Sequence, residues 1–139
     1  MNKILMGVLM SALVFASCKK EEVTPDDPTT SSTPVPLVEV SSMTNASNQT
    51  VTLYSESSDL TTGYTNFYVT VIDSLGNSVE SANVEYAPLM TMTSMSHACP
   101  IEQPTFDAAL GKYKGALVFI MSSLGGDWTL DVSVDGVAV

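Results

Sequence analysis

An antiparallel all-β sandwich of about seven strands is the fold class this sequence predicts, and three observations predict it. From about residue 37 onward, short runs rich in Val, Thr, Tyr and Phe alternate apolar with polar side chains. Clusters of Asn, Ser and Gly separate those runs at short intervals. No window keeps an apolar stripe at three-to-four spacing long enough to argue for a helix.

The elements follow in order. Residues 37–43 and 50–54 are alternating runs on either side of the turn-forming TNASNQ. Residues 66–73, NFYVTVID, set Phe67, Val69 and Val71 on one face and Tyr68, Thr70 and Ile72 on the other, because successive strand side chains point to opposite sides. The turn Ser74-Leu75-Gly76-Asn77 ends that run, and Val79, Ala82, Val84 and Tyr86 open the next. Residues 112–121 place Tyr113, Leu117, Phe119 and Met121 together on one side. Gly125-Gly126 then turns the chain into DWTLDVSVD, whose alternation is the cleanest in the protein. Trp128, Leu130, Val132 and Val134 share one face; Asp127, Thr129, Asp131, Ser133 and Asp135 share the other. One dry and one wet face is what each sheet of a sandwich needs, and the spacing suits an immunoglobulin-like arrangement. Residues 137–139 begin a further strand, and Trp128 is expected to anchor the core.

The N-terminal part has a different character. One charge at Lys3, an apolar run over residues 4–15 and the small pair Ala16-Ser17 compose a secretory signal, too short to span a bilayer comfortably. Phe15-Ala16-Ser17-Cys18 resembles a bacterial lipobox, which implies cleavage before Cys18 and lipidation of its thiol. The following Lys-Lys-Glu-Glu resembles the charged segment behind the lipid cysteine of surface-exported lipoproteins. Residues 23–36, VTPDDPTTSSTPVP, hold too little apolar surface to offset their ordering entropy and are expected to form an extended tether. The expected organisation is therefore a signal peptide over 1–17, a lipidated Cys18 and flexible linker over 18–36, and one domain over 37–139. The implied location is the cell envelope, anchored to the outer membrane on its periplasmic side or at the cell surface.

Charge narrows the partners. Without Lys3 the chain keeps four lysines against fifteen acids, a net charge of −11, and it has no arginine. Nucleic acid is excluded as a partner, because phosphate binding needs clustered basic residues to displace counterions. The same acidity opposes contact with an anionic lipid surface beyond the covalent anchor, and it favours solubility and a weak attraction for cations.

The order F-x-V-x-V-x-D-x-x-G-x-x-V-x-x-A-x-V over 67–84, a methionine- and histidine-bearing segment between prolines, G-x-Y-x-G from Gly111 and G-x-W at Gly126-Asp127-Trp128 resembles the YtkA-like domain, a β-sandwich family related to FixH. The likeness covers roughly residues 53–134. It implies an extracytoplasmic sandwich, in several relatives connected with copper or heavy metals. The link from Met121 to Trp128 is longer than the family's usual glycine turn, and FixH relatives carry a membrane helix that this chain does not show, so the oxidase-assembly role is not carried over.

The segment LMTMTSMSHACPIEQP, residues 89–104, concentrates the chemistry. Met90, Met92, Met95, His97 and Cys99 include the only histidine and the only cysteine outside the lipobox. Thioether, thiolate and imidazole are donors that suit Cu(I), with Met121 a candidate neighbour. Met90 and Met92 share one strand face, as do Met95, His97 and Cys99, but the two groups are out of phase across Thr93-Ser94, so a bend there must bring them together. Pro88, Pro100 and Pro104 favour an irregular edge segment. The competing explanation is packing, since methionine fills gaps in cores and cysteine is among the most often buried residues. A structural zinc site wants four Cys or His ligands, and only His97 and Cys99 qualify. Catalysis has no support, with no nucleophile motif and no second histidine. Two functions remain: a Cu(I)-binding envelope module whose partners are copper-handling envelope proteins, or a structural or adhesive surface module that binds protein or glycan through its loops.

Overall fold

The computed structural model describes residues 36–139; the signal peptide, Cys18 and nearly all of the tether assigned from sequence lie outside the described residues. Nine strands form two antiparallel sheets. They are β1 (Val38–Thr44), β2 (Thr50–Ser55), β3 (Gly63–Ile72), β4 (Val84–Thr91), β5 (Ser96–His97), β6 (Ile101–Asp107), β7 (Lys112–Phe119), β8 (Asp127–Val134) and β9 (Val137–Ala138), with a 3₁₀ turn at Ser123–Gly125. One sheet has the order β1-β2-β3-β7-β6 and the other β5-β4-β8-β9. Strands β2, β3, β7 and β6 thus follow the A-B-E-D order of an immunoglobulin sheet, and β4, β8 and β9 follow C-F-G, with β5 and β1 as added edges.

Between the sheets, alternation does what the sequence pattern dictates. Strand β4 buries Val84, Tyr86, Pro88 and Met90 and exposes every residue between them. Phe67 sits at the centre, with the rings of Tyr86 and Phe119 edge-on at 6.4 and 6.3 Å. Val69, Leu117 and Val134 are wholly buried around it. Each such side chain contributes about 1.5–3 kcal/mol by leaving water. Trp128, expected as the core anchor, is instead half-buried at one end of the sandwich, and the smaller Phe67 takes the central place.

Two strands were not anticipated, both downstream of Met92. Strand β5 has only two residues, and β6 carries Pro104 at an irregular register between Glu102 and Thr105. An edge position and a bulge are where a sheet tolerates proline. Conversely, residues 84–91, which reach into the segment expected to be irregular, form a regular strand paired along its whole length with β8. Pro88 fits there because its other side faces a gap beyond the short β5. The Gln103 side chain fills part of that gap, accepting the Tyr86 N–H (2.8 Å) and donating to the Tyr86 carbonyl (3.1 Å). Backbone groups alternate sides along a strand, so Pro88 lacks its N–H on the unpaired edge.

Candidate metal centre

The phase problem at Thr93-Ser94 is resolved by a hairpin. Met90 pairs with His97 and Thr91 with Ser96, and the Met92 N–H donates to the Met95 carbonyl at 2.9 Å. Residues directly opposite in an antiparallel pair share a face, so Met90, Met92, Met95 and His97 project to the same side of the hairpin. Thr93 and Ser94 form the tip, where the two out-of-phase groups are folded onto one another.

On its other side Met90 pairs with Trp128. His97, Met90 and Trp128 therefore make a row across β5, β4 and β8, at the end of the inner face. The rings of the two outer members approach edge-to-face at 5.6 Å, and Met90 between them is 0% exposed. Although fully buried, Met90 stands apart from the contiguous hydrophobic core. The indole is held from two further directions: it packs on Phe119 at 5.3 Å, and its Nε1–H donates to the Met121 carbonyl at 3.0 Å. Gly125 and Gly126 close in on the methionines. A Cβ at Gly125 would lie 3.5 Å from Met92 Cε and 3.9 Å from Met90 Cε, and one at Gly126 only 2.9 Å from Met92 Cγ.

His97 is the polar member of this enclosure. Its Nε2 is buried and has no hydrogen-bond partner among the described residues. Its Nδ1 faces the Ala98 carbonyl at 3.4 Å, long for a hydrogen bond. A tautomer with the proton on Nδ1, toward that carbonyl, leaves the lone pair on Nε2, the arrangement metal-binding histidines use.

The remaining candidates are placed differently. Cys99 leaves the hairpin ladder and joins the main core, where burial pushes its thiol pKa up and favours the neutral thiol over the thiolate a metal prefers. Burial is also what protects this free thiol from oxidation. Met95 is 60% exposed at the hairpin tip, and Met121 is 39% exposed, joined to the site through its carbonyl. Among the described residues no group of three or more His, Cys, Asp or Glu side chains is placed to hold a metal ion, so the donors gathered on this hairpin face are the methionine thioethers and the His97 imidazole. Sequence reasoning missed Trp128 and the glycine pair as members of this site. The only available signal was that Trp128 starts an inward-facing series directly after Gly125-Gly126.

No protein-family model matches this chain, and neither does any curated protein or solved structure.

Proposed function

We propose that this protein is a lipid-anchored envelope module that binds Cu(I) through His97 Nε2 and the thioethers of Met90 and Met92. The observation that carries the reading is the buried Nε2 with no partner. A buried polar atom left unpaired costs about 1–3 kcal/mol, and here it shares a hairpin face with three methionine side chains. Two thioethers and one imidazole form a soft, neutral set that fits Cu(I) better than zinc or a hard cation. The Trp128 ring beside His97 adds a polarisable π surface next to any bound cation. Cys99 is left out because it packs in the core as a thiol. The likeness to YtkA-like domains and the lipobox support the envelope setting and partners that handle copper. The reading is of a binding protein and not of an enzyme.

The test is a titration of the full chain with Cu(I) against a competing chelator, read by the fluorescence of the single Trp128. An affinity of about 1 μM or tighter is expected, abolished by His97→Ala and weakened by Met92→Leu. Absence of uptake by the unmodified chain would overturn the proposal. It would leave a second reading, a structural or adhesive module binding protein or glycan. That reading is favoured by a cleft of about 480 Å³ beside Trp128, lined by Leu60, Thr61, Thr62, Met121, Ser122 and Ser123 among others.

A further inference from the structure

The methionines of the hairpin differ in one respect that ligand chemistry alone does not require. Met90 is wholly buried, Met92 is half-buried and Met95 is 60% exposed, in order from the interior to the tip. All three lie on the face that carries His97, and Met95 stands directly across the closing turn from Met92. Met90 has no exposed surface of its own, whereas Met92 and Met95 do, so a metal arriving from solvent along this hairpin face meets Met95 and Met92 before Met90. Successive same-face residues are about 7 Å apart along a strand, a gap that flexible thioether side chains can bridge.

We infer that Met95 is the capture ligand of this site: an exposed thioether that takes Cu(I) from a donor and passes it to Met92 and then to Met90 and His97. This inference rests on the Cu(I) reading above and assigns to that site a route of loading. The step is ligand exchange. A copper–sulfur bond to Met95 forms as a bond to the donor breaks, the metal stays Cu(I), and a neutral thioether neither gains nor loses a proton. In the next exchange Met92 displaces Met95, and the cation ends on the buried set. The route selects a soft ion, since the first group it meets is a thioether with no carboxylate beside it in the hairpin 90–97.

The experiment follows the transfer of Cu(I) from its bicinchoninate complex to the full chain by stopped flow, reading loss of the complex's visible absorbance, beside an equilibrium titration with the same chelator. Met95→Leu is expected to slow loading by about tenfold while leaving equilibrium affinity unchanged, since a transient ligand acts on the rate and not on the final state. Met43→Leu, at an exposed methionine on β1, should alter neither quantity. A Met95→Leu chain that loads at the normal rate overturns the capture role. So does one whose affinity falls in step with its rate, which would make Met95 a resident ligand. If the unmodified chain takes up no Cu(I), the binding proposal itself fails and the capture role with it; that outcome is separated from the other two by the titration.

Discussion

Gly126 shows how a single missing side chain shapes the site. Its backbone is extended, with φ 166°, so conformation does not demand glycine there. Space does: an added Cβ would strike the Thr91 carbonyl and stand 2.9 Å from Met92 Cγ. Gly126→Ala must push the hairpin away from β8 or distort the 123–126 turn. The expected cost is about 1–3 kcal/mol, in the range for overpacking a closed site, together with weakened Cu(I) binding through a displaced Met92. Chemical denaturation of the variant measures the first, and a stability equal to that of the parent would show that the glycine is not there for close approach. His97 makes the complementary point. Its type and its neighbours Met95 and Cys99 are evident in the sequence, yet its partners Met90 and Trp128 lie seven and thirty-one positions away along the chain, and it is the pairing of β4 with both β5 and β8 that assembles them.

At the scale of elements, β4 carries the design. It is flanked by a full-length partner on one side and by a two-residue strand on the other, so part of its edge has no backbone to bond. Gln103 substitutes for the missing strand at Tyr86 and ties β6 of one sheet to β4 of the other. Gln103→Leu should leave the Tyr86 N–H and carbonyl unpaired, at a cost of about 1–3 kcal/mol. Native-state hydrogen exchange at the Tyr86 amide is the direct measure. Faster exchange is expected, and an unchanged rate would mean that the side-chain clamp contributes nothing to the edge. The strands with clean alternation, β3 and β8 above all, were legible from period alone, because their two faces differ in polarity. Strands β5 and β6 were not, since a two-residue strand has no period and Pro104 in IEQPTFD argues against a strand unless an edge or bulge is known in advance.

For the whole molecule, the outer face of the larger sheet gives a pH dependence. Tyr68 is buried there beneath its neighbours, its hydroxyl donates to Glu56 at 2.6 Å, and Lys114 lies 5.8 Å from its ring centre. Burial first, and then the hydrogen bond to Glu56, push its pKa up from 10.0 to about 12. Tyr64, Tyr86 and Tyr113 are raised in the same direction. A raised phenol favours the protonated fold. Its contribution is complete below the unfolded value of 10.0 and is lost as pH climbs toward about 12. The denaturation midpoint should therefore fall as pH rises from 10.0 toward about 12, and Tyr68→Phe should make that fall shallower. An equally steep fall in the variant would remove Tyr68 as a cause.

By itself the sequence determined the class of fold, the faces of its longer strands, the acidity of the chain and the set of soft donors concentrated in residues 90–99. These are properties of composition and of short-range period, which a single chain carries openly. Only the tertiary structure decided which donors meet. The hairpin at Thr93-Ser94 brought His97 across from Met90, the pairing with β8 set Trp128 beside them, and the crossing from β5 to β6 carried Cys99 away into the core. Strand register is a long-range property, settled by which faces can be buried together, and no local pattern in 89–104 encodes it.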